Sequence, residues 1–102
     1  MERIESLAEI VRREVMDYHG PALKATTYYF EDTTNQRYTV IIVQDYPRKN
    51  SARVVVLAQV VGDMVIIEED ITDRPLYEAL MRQGIPREKI VLSYAGEQAP
   101  VA

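Results

Sequence analysis

Four runs of β-forming residues, each closed by turn residues, occupy the middle of this chain and leave few folds open to it. They are 24–31, 37–44 (RYTVIIVQ), 53–60 (RVVVLAQV) and 64–68 (MVIIE). β-Branched and aromatic residues suit a pleated surface, and Tyr28, Tyr29 and Phe30 supply the aromatic share in the first run. Asp32-Thr33-Thr34-Asn35 and Gly62-Asp63 are turn clusters, and the second suits a short hairpin. Pro47 to Ser51 forms a polar, positively charged loop. Sequential strands joined by short loops pair antiparallel with their neighbours, so the expectation is a four-stranded antiparallel meander.

Helical patterns flank the meander. In 2–18, Ile4, Leu7, Ala8, Val11, Val15 and Tyr18 fall on one face, and His19-Gly20-Pro21 is expected to end the helix through a glycine C-cap. A second helix is expected over about 73–83, with Leu76, Tyr77, Leu80 and Met81 at helical spacing. It starts at Thr72 or Asp73 and stops at Gly84. Segment 90–94 (IVLSY) is either a final strand or an extended arm, and 95–102 is expected to fray. The fold class is α+β: N-terminal helix, meander, second helix, short C-terminal strand, in one domain over 1–102, with both helices on one face of the sheet. The runs at 40–43 and 54–58 are apolar without clean alternation, and such strands need cover on both faces. The second face is expected to meet a partner subunit, which makes the chain a homo-oligomer, a dimer. The competing reading is that neighbouring Arg, Tyr and Gln side chains cover it.

Composition narrows the function. The chain has no cysteine, which excludes disulfides and thiolate metal sites and agrees with a reducing compartment. Its N-terminus lacks the apolar stretch of a signal peptide and no run is long enough to span a bilayer, so a soluble cytoplasmic protein without membrane contact is expected. A net charge of −4 argues against a protein whose main task is holding nucleic-acid backbone.

No catalytic grammar stands out. Glu68, Glu69, Asp70 and Asp73 could offer oxygen ligands to Mg²⁺ or Ca²⁺, but their spacing is not that of a calcium loop. A strand end and a helix cap account for them: Thr72 as cap, Asp73 at the positive helix end, Pro75 in the first turn and Ile71 as a staple. His19, the single histidine, suits a helix C-terminus. The four glycines are scattered, and no Ser–His–acid or zinc spacing is visible. The expectation is a non-enzyme without metal or cofactor. Tyr46, Arg48, Lys49 and Arg53 form the best candidate contact to nucleic acid, a small basic patch beside an aromatic ring.

The stretch DITDRPLYEALMRQGIPREKIVL, residues 70–92, resembles the XisI-like family of fdxN-element excision controlling factors. Its members carry an acidic stretch, a Thr, a helix with a Leu near its end, Gly-Ile/Val-Pro and Ile-Val-Leu. Here these are Asp70, Thr72, Leu80, Gly84-Ile85-Pro86 and Ile90-Val91-Leu92. Phe30-Glu31-Asp32 through Arg37-Tyr38 resembles the family's turn into a Tyr-led strand, and Gly62 to Ile67 its Gly-led hairpin. The resemblance spans roughly 4–94. This chain departs from the pattern in having no Trp, in reading Asp70-Ile71-Thr72-Asp73 where the family has Asp-Gly-Thr-Glu, and in lacking the family's His or Pro and Arg after the last strand. The resemblance implies an accessory protein of DNA rearrangement, not a recombinase, working with a XisH-like partner in control of excision.

Overall fold

The computed structural model describes residues 5–99. Two α-helices and a five-stranded sheet run in the order α1 (Leu7–Met16), β1 (Ala25–Asp32), β2 (Arg37–Gln44), β3 (Arg53–Val61), β4 (Met64–Asp70), α2 (Leu76–Arg82) and β5 (Ile90–Leu92). Sheet order equals chain order. β1 to β4 form the expected antiparallel meander, and β5 joins β4 in parallel through α2. The segment 90–94 is thus a strand for three residues, and then a 3₁₀ turn over Ser93–Ala95.

α1 begins where a capping box allows. Ser6 Oγ accepts from Glu9 N at 3.1 Å, and the Glu9 carboxylate accepts from Ser6 N at 3.4 Å. It ends earlier than His19-Gly20-Pro21 suggests: Asp17 is the C-cap, and the 3.0 Å bond from Tyr18 N to Val15 O and the 2.9 Å bond from His19 N to Met16 O tighten the end. Gly20 is not left-handed, so its expected capping role is replaced by these tighter turns. Part of the expected span, residues 2–4, lies outside the described residues.

The second helix carries the main correction. Thr72 does not cap it; α2 starts at Leu76 behind Pro75. Asp70 does the capping from the strand end. Its Oδ2 accepts from Leu76 N at 2.8 Å, and its Oδ1 accepts from Thr72 N at 2.9 Å and Thr72 Oγ1 at 2.6 Å. A carboxylate gains more than a hydroxyl at the positive end of a helix, which is why Asp70 takes that place. Ile71, expected as a staple, is exposed. The other end follows expectation: Gly84 has φ +95°, Gly84 N donates to Met81 O at 3.0 Å, and Ile85 N donates to Leu80 O at 3.2 Å. This closure turns Ile85 into the core.

The core lies between the helices and one face of the sheet. Val11, Val15, Leu76 and Leu80 pack on Val40, Val56, Ala58, Val65 and Ile67, with Ile90 and Leu92 at the end. Two register shifts explain the imperfect alternation in the central strands: one between Val40 and Ile41 opposite β3, one between Leu57 and Ala58 opposite β4. The first lets both Val55 and Val56 face the core.

Residues 95–99, expected to fray, are held at Glu97. Its carboxylate accepts from Leu92 N at 2.9 Å and pairs with Arg87 at 2.6 Å. The Arg87 guanidinium also donates to Ile90 O at 2.7 Å, so side chains close the outer edge of β5. Residues 100–102 of the expected tail lie outside the described residues.

Candidate functional site

Strand alternation sends every second residue of the sheet away from the helices. Cross-strand pairs identify that outer face: Tyr28 with Ile41, Phe30 with Thr39, Thr39 with Leu57, and Gln59 with Ile66. None of these side chains belongs to the buried core, whose helical members all lie on the opposite side. Tyr28 is 45% and Phe30 54% exposed, and their rings stack with centroids 6.3 Å apart. Ile41, Leu57 and Ile66 are half-buried among their neighbours. The face thus mixes apolar residues with Thr39, Gln59, Arg37 and Glu68, and Arg37 Nε donates to Gln59 at 3.5 Å. Single exposed apolar residues mean little; what this face offers is the stacked Tyr28–Phe30 pair with Ile41 beside it and Leu57 and Ile66 further across the sheet.

The candidate patch at Tyr46, Arg48, Lys49 and Arg53 forms only in part. Tyr46 is 95% exposed in the β2–β3 loop, after which the Tyr46–Pro47 peptide is cis. Gln44 Oε1 pins this loop by accepting from Lys49 N at 2.9 Å and Asn50 N at 3.2 Å. Arg53, however, pairs across the sheet with Ile42 and lines a cleft of about 410 Å³ with Leu23 and Lys24. Tyr46 and Lys49 line a second cleft of about 530 Å³. Lys24 and Gln44 belong to both. The sequence reading missed Lys24 and Leu23, since nothing local ties the α1–β1 connection to the β2–β3 loop.

Salt bridges set this region apart. Arg12 pairs with Glu31, Arg13 with Glu5 and Glu14, Arg37 with Asp32, Arg74 with Asp17, Arg87 with Glu97 and Lys89 with Asp63. Among the described residues, Lys24, Arg48, Lys49, Arg53 and Arg82 have no carboxylate partner within 4.0 Å, and all but Arg82 belong to this region. Asp45 lies on the second cleft with Lys24 and Lys49 and makes no ion pair within 4.0 Å among the described residues; its carboxylate accepts from Thr26 Oγ1 at 3.3 Å.

The acidic stretch makes no metal cluster. No group of three or more His, Cys, Asp or Glu side chains among the described residues could hold an ion. Asp70 is engaged with backbone, as above. The remaining family-motif residues are mostly core: Leu80, Ile85, Ile90, Val91 and Leu92 are all buried. Behind Asp70, the Tyr18 hydroxyl donates to Arg74 O. Burial, and then the Asp70 charge, push the Tyr18 phenol up to about 12, so it stays a neutral donor at ordinary pH.

Similarity to known proteins agrees with the resemblance read from residues 70–92. A family model described as XisI protein matches residues 1–100. The chain is similar in structure to a XisI-like protein from Anabaena variabilis ATCC 29413, with 26% identity and a TM-score of 0.74, covering 91% of this chain and 85% of that one. It shares its fold with the fdxN element excision controlling factor XisI of the same organism, with 18% identity and a TM-score of 0.63, covering 90% of this chain and 86% of that one. No curated protein matches. No helix among the described residues is long and apolar enough to cross a membrane.

Proposed function

The chain belongs to the XisI family, and from that membership we propose that it is a non-catalytic accessory protein in control of DNA-element excision, acting through protein–protein contacts. The observation that carries this reading is the uncovered apolar face of the sheet. Five strands spaced about 4.8 Å apart and about seven residues long present roughly 500 Å² before side-chain relief, below the ~800 Å² per partner of a standard interface and in the range of weaker, transient ones. The family membership points to a XisH-like protein as heterologous partner, and the isolated chain would cover the face by dimerising.

The test is elution of the purified chain alone and with a co-expressed XisH-like protein. A dimer-sized peak alone, and a shift on adding the partner, are expected. A monomer whose elution ignores the partner would remove the basis of the reading. The Leu57→Asp variant ties either result to this face, because Leu57 lies in its middle strand and outside the core.

A further inference from the structure

The paired clefts at the start of β1 have a chemistry that the apolar face lacks. We propose that they bind an acidic peptide segment with apolar side chains, presented by a partner protein. This deepens the reading that the chain works through protein contacts, and rests on it for the nature of the partner.

Three observations converge. The first is charge left only partly compensated. Among the described residues, Lys24, Arg48, Lys49 and Arg53 lack carboxylate partners within 4.0 Å, and three of them, Lys24, Lys49 and Arg53, line the clefts; Arg82 on α2 also lacks one, away from the clefts. Asp45 offsets one of these charges on the second cleft, and the positive excess that remains attracts an anion. The second is apolar surface in the same place: Leu23 is 90% and Tyr46 95% exposed, and Ile42 lines the first cleft. A bare phosphate or carboxylate has no use for that surface; a segment mixing carboxylates with aliphatic side chains uses both. The third is continuity. Lys24 and Gln44 line both clefts, so one extended segment can follow them from Arg53 to Tyr46.

Nucleic acid fits less well. Duplex binding draws on many phosphate contacts, commonly about six to ten. Here four cations sit on a chain of net charge −4, so the rest of the molecule is more acidic still and repels a long polyanion. A short acidic peptide engages the cluster without meeting that field beyond about a Debye length, ~8 Å at physiological salt.

The experiment uses the full chain and fluorescence anisotropy with two probes, a labelled peptide of alternating Glu and Leu and a short DNA duplex of equal charge. Salt-sensitive peptide binding, tighter than duplex binding, is expected. The double variant Lys24→Glu with Arg53→Glu should weaken it by about tenfold or more, on the scale of like-charge juxtaposition at an interface. Arg82→Glu, an exposed reversal on α2 away from both clefts, should change it by less than about twofold, as a screened distant charge does. Retained thermal melting shows that the variants fold. No peptide binding, tighter duplex binding, or equal loss in Arg82→Glu each overturns the proposal. Co-elution of the double variant with a XisH-like protein separates the two readings. If the partner still binds the double variant while the peptide does not, the proposed function stands and its partner docks elsewhere, which removes the clefts as the docking site. If the peptide binds the wild type but no partner does, the clefts stand and the broader reading falls.

Discussion

On the helix side of the sheet, Val40, Val56, Val65 and Ile67 are fully buried beneath Val11, Val15, Leu76 and Leu80. On the other side of the same strands, Tyr28 and Phe30 stand half in solvent. The residue types are alike, and what differs is whether the chain supplies a cover. Two helices of ten and seven residues roof one face and leave nothing for the second. The covered face therefore carries the stability of the fold, and the bare one is free to carry association. Changes on the first should read out in melting; changes on the second should read out in size.

The largest effect should come from the roof. Leu80→Ala empties a fully buried site between α2 and the sheet, and is expected to cost about 2–5 kcal/mol in chemical denaturation. Next is the joint that holds the roof in place. Asp70→Ala strips Leu76 N–H and Thr72 of their acceptor and should cost about 1–3 kcal/mol, while Thr72→Ala costs less because the Asp70 cap survives. Equal losses for the two would restore Thr72 as the cap. Gly84→Ala tests the far end of α2. A Cβ there meets no atom within 4 Å, so the expected loss of about 1–2 kcal/mol is backbone strain at φ +95° alone. On the bare face, Leu57→Asp should cost about 1 kcal/mol, the span of strand propensity, well below the Leu80→Ala loss, and should remove any self-association. A large melting loss there without any change in size would break the contrast between the faces.

How far the sequence alone reaches follows the same division. β2 falls at 37–44 as its apolar run and flanking turns require, and the hairpin at Gly62 is equally local, with φ +62°. The Schellman closure at Gly84-Ile85 is also written in adjacent residues. What escaped was non-local. Asp70 caps a helix from six residues upstream, across Thr72, and no local capping rule looks that far. The strand pairing of Ile90–Leu92 is parallel to β4, a long-range choice that three residues do not announce. Lys24 meets the β2–β3 loop only because β1 and β2 pair with Ala25 opposite Gln44. The apolar face was legible as excess hydrophobicity in the central strands. The clefts were legible only at Tyr46, Lys49 and Arg53, since Arg48 lines neither.

The smallest expected effect concerns an edge of the sheet. Glu97 accepts from Leu92 N and pairs with Arg87, and these two contacts hold its carboxyl below the usual glutamate range. A carboxylate favoured in the folded state stabilises above its unfolded pKa, and that contribution disappears as pH falls through the lower folded value. The group is exposed, so the gain is slight and melting near neutrality should barely register Glu97→Gln. The local signature is sharper. In an NMR titration, the Leu92 amide should shift with a midpoint below about 4.3, the ordinary glutamate value, and that transition should vanish in Glu97→Gln. An ordinary midpoint would mean that β5 is as open at its edge as the outer face is bare. A depressed one means that the chain guards this edge with its own side chains, unlike the outer face of the sheet.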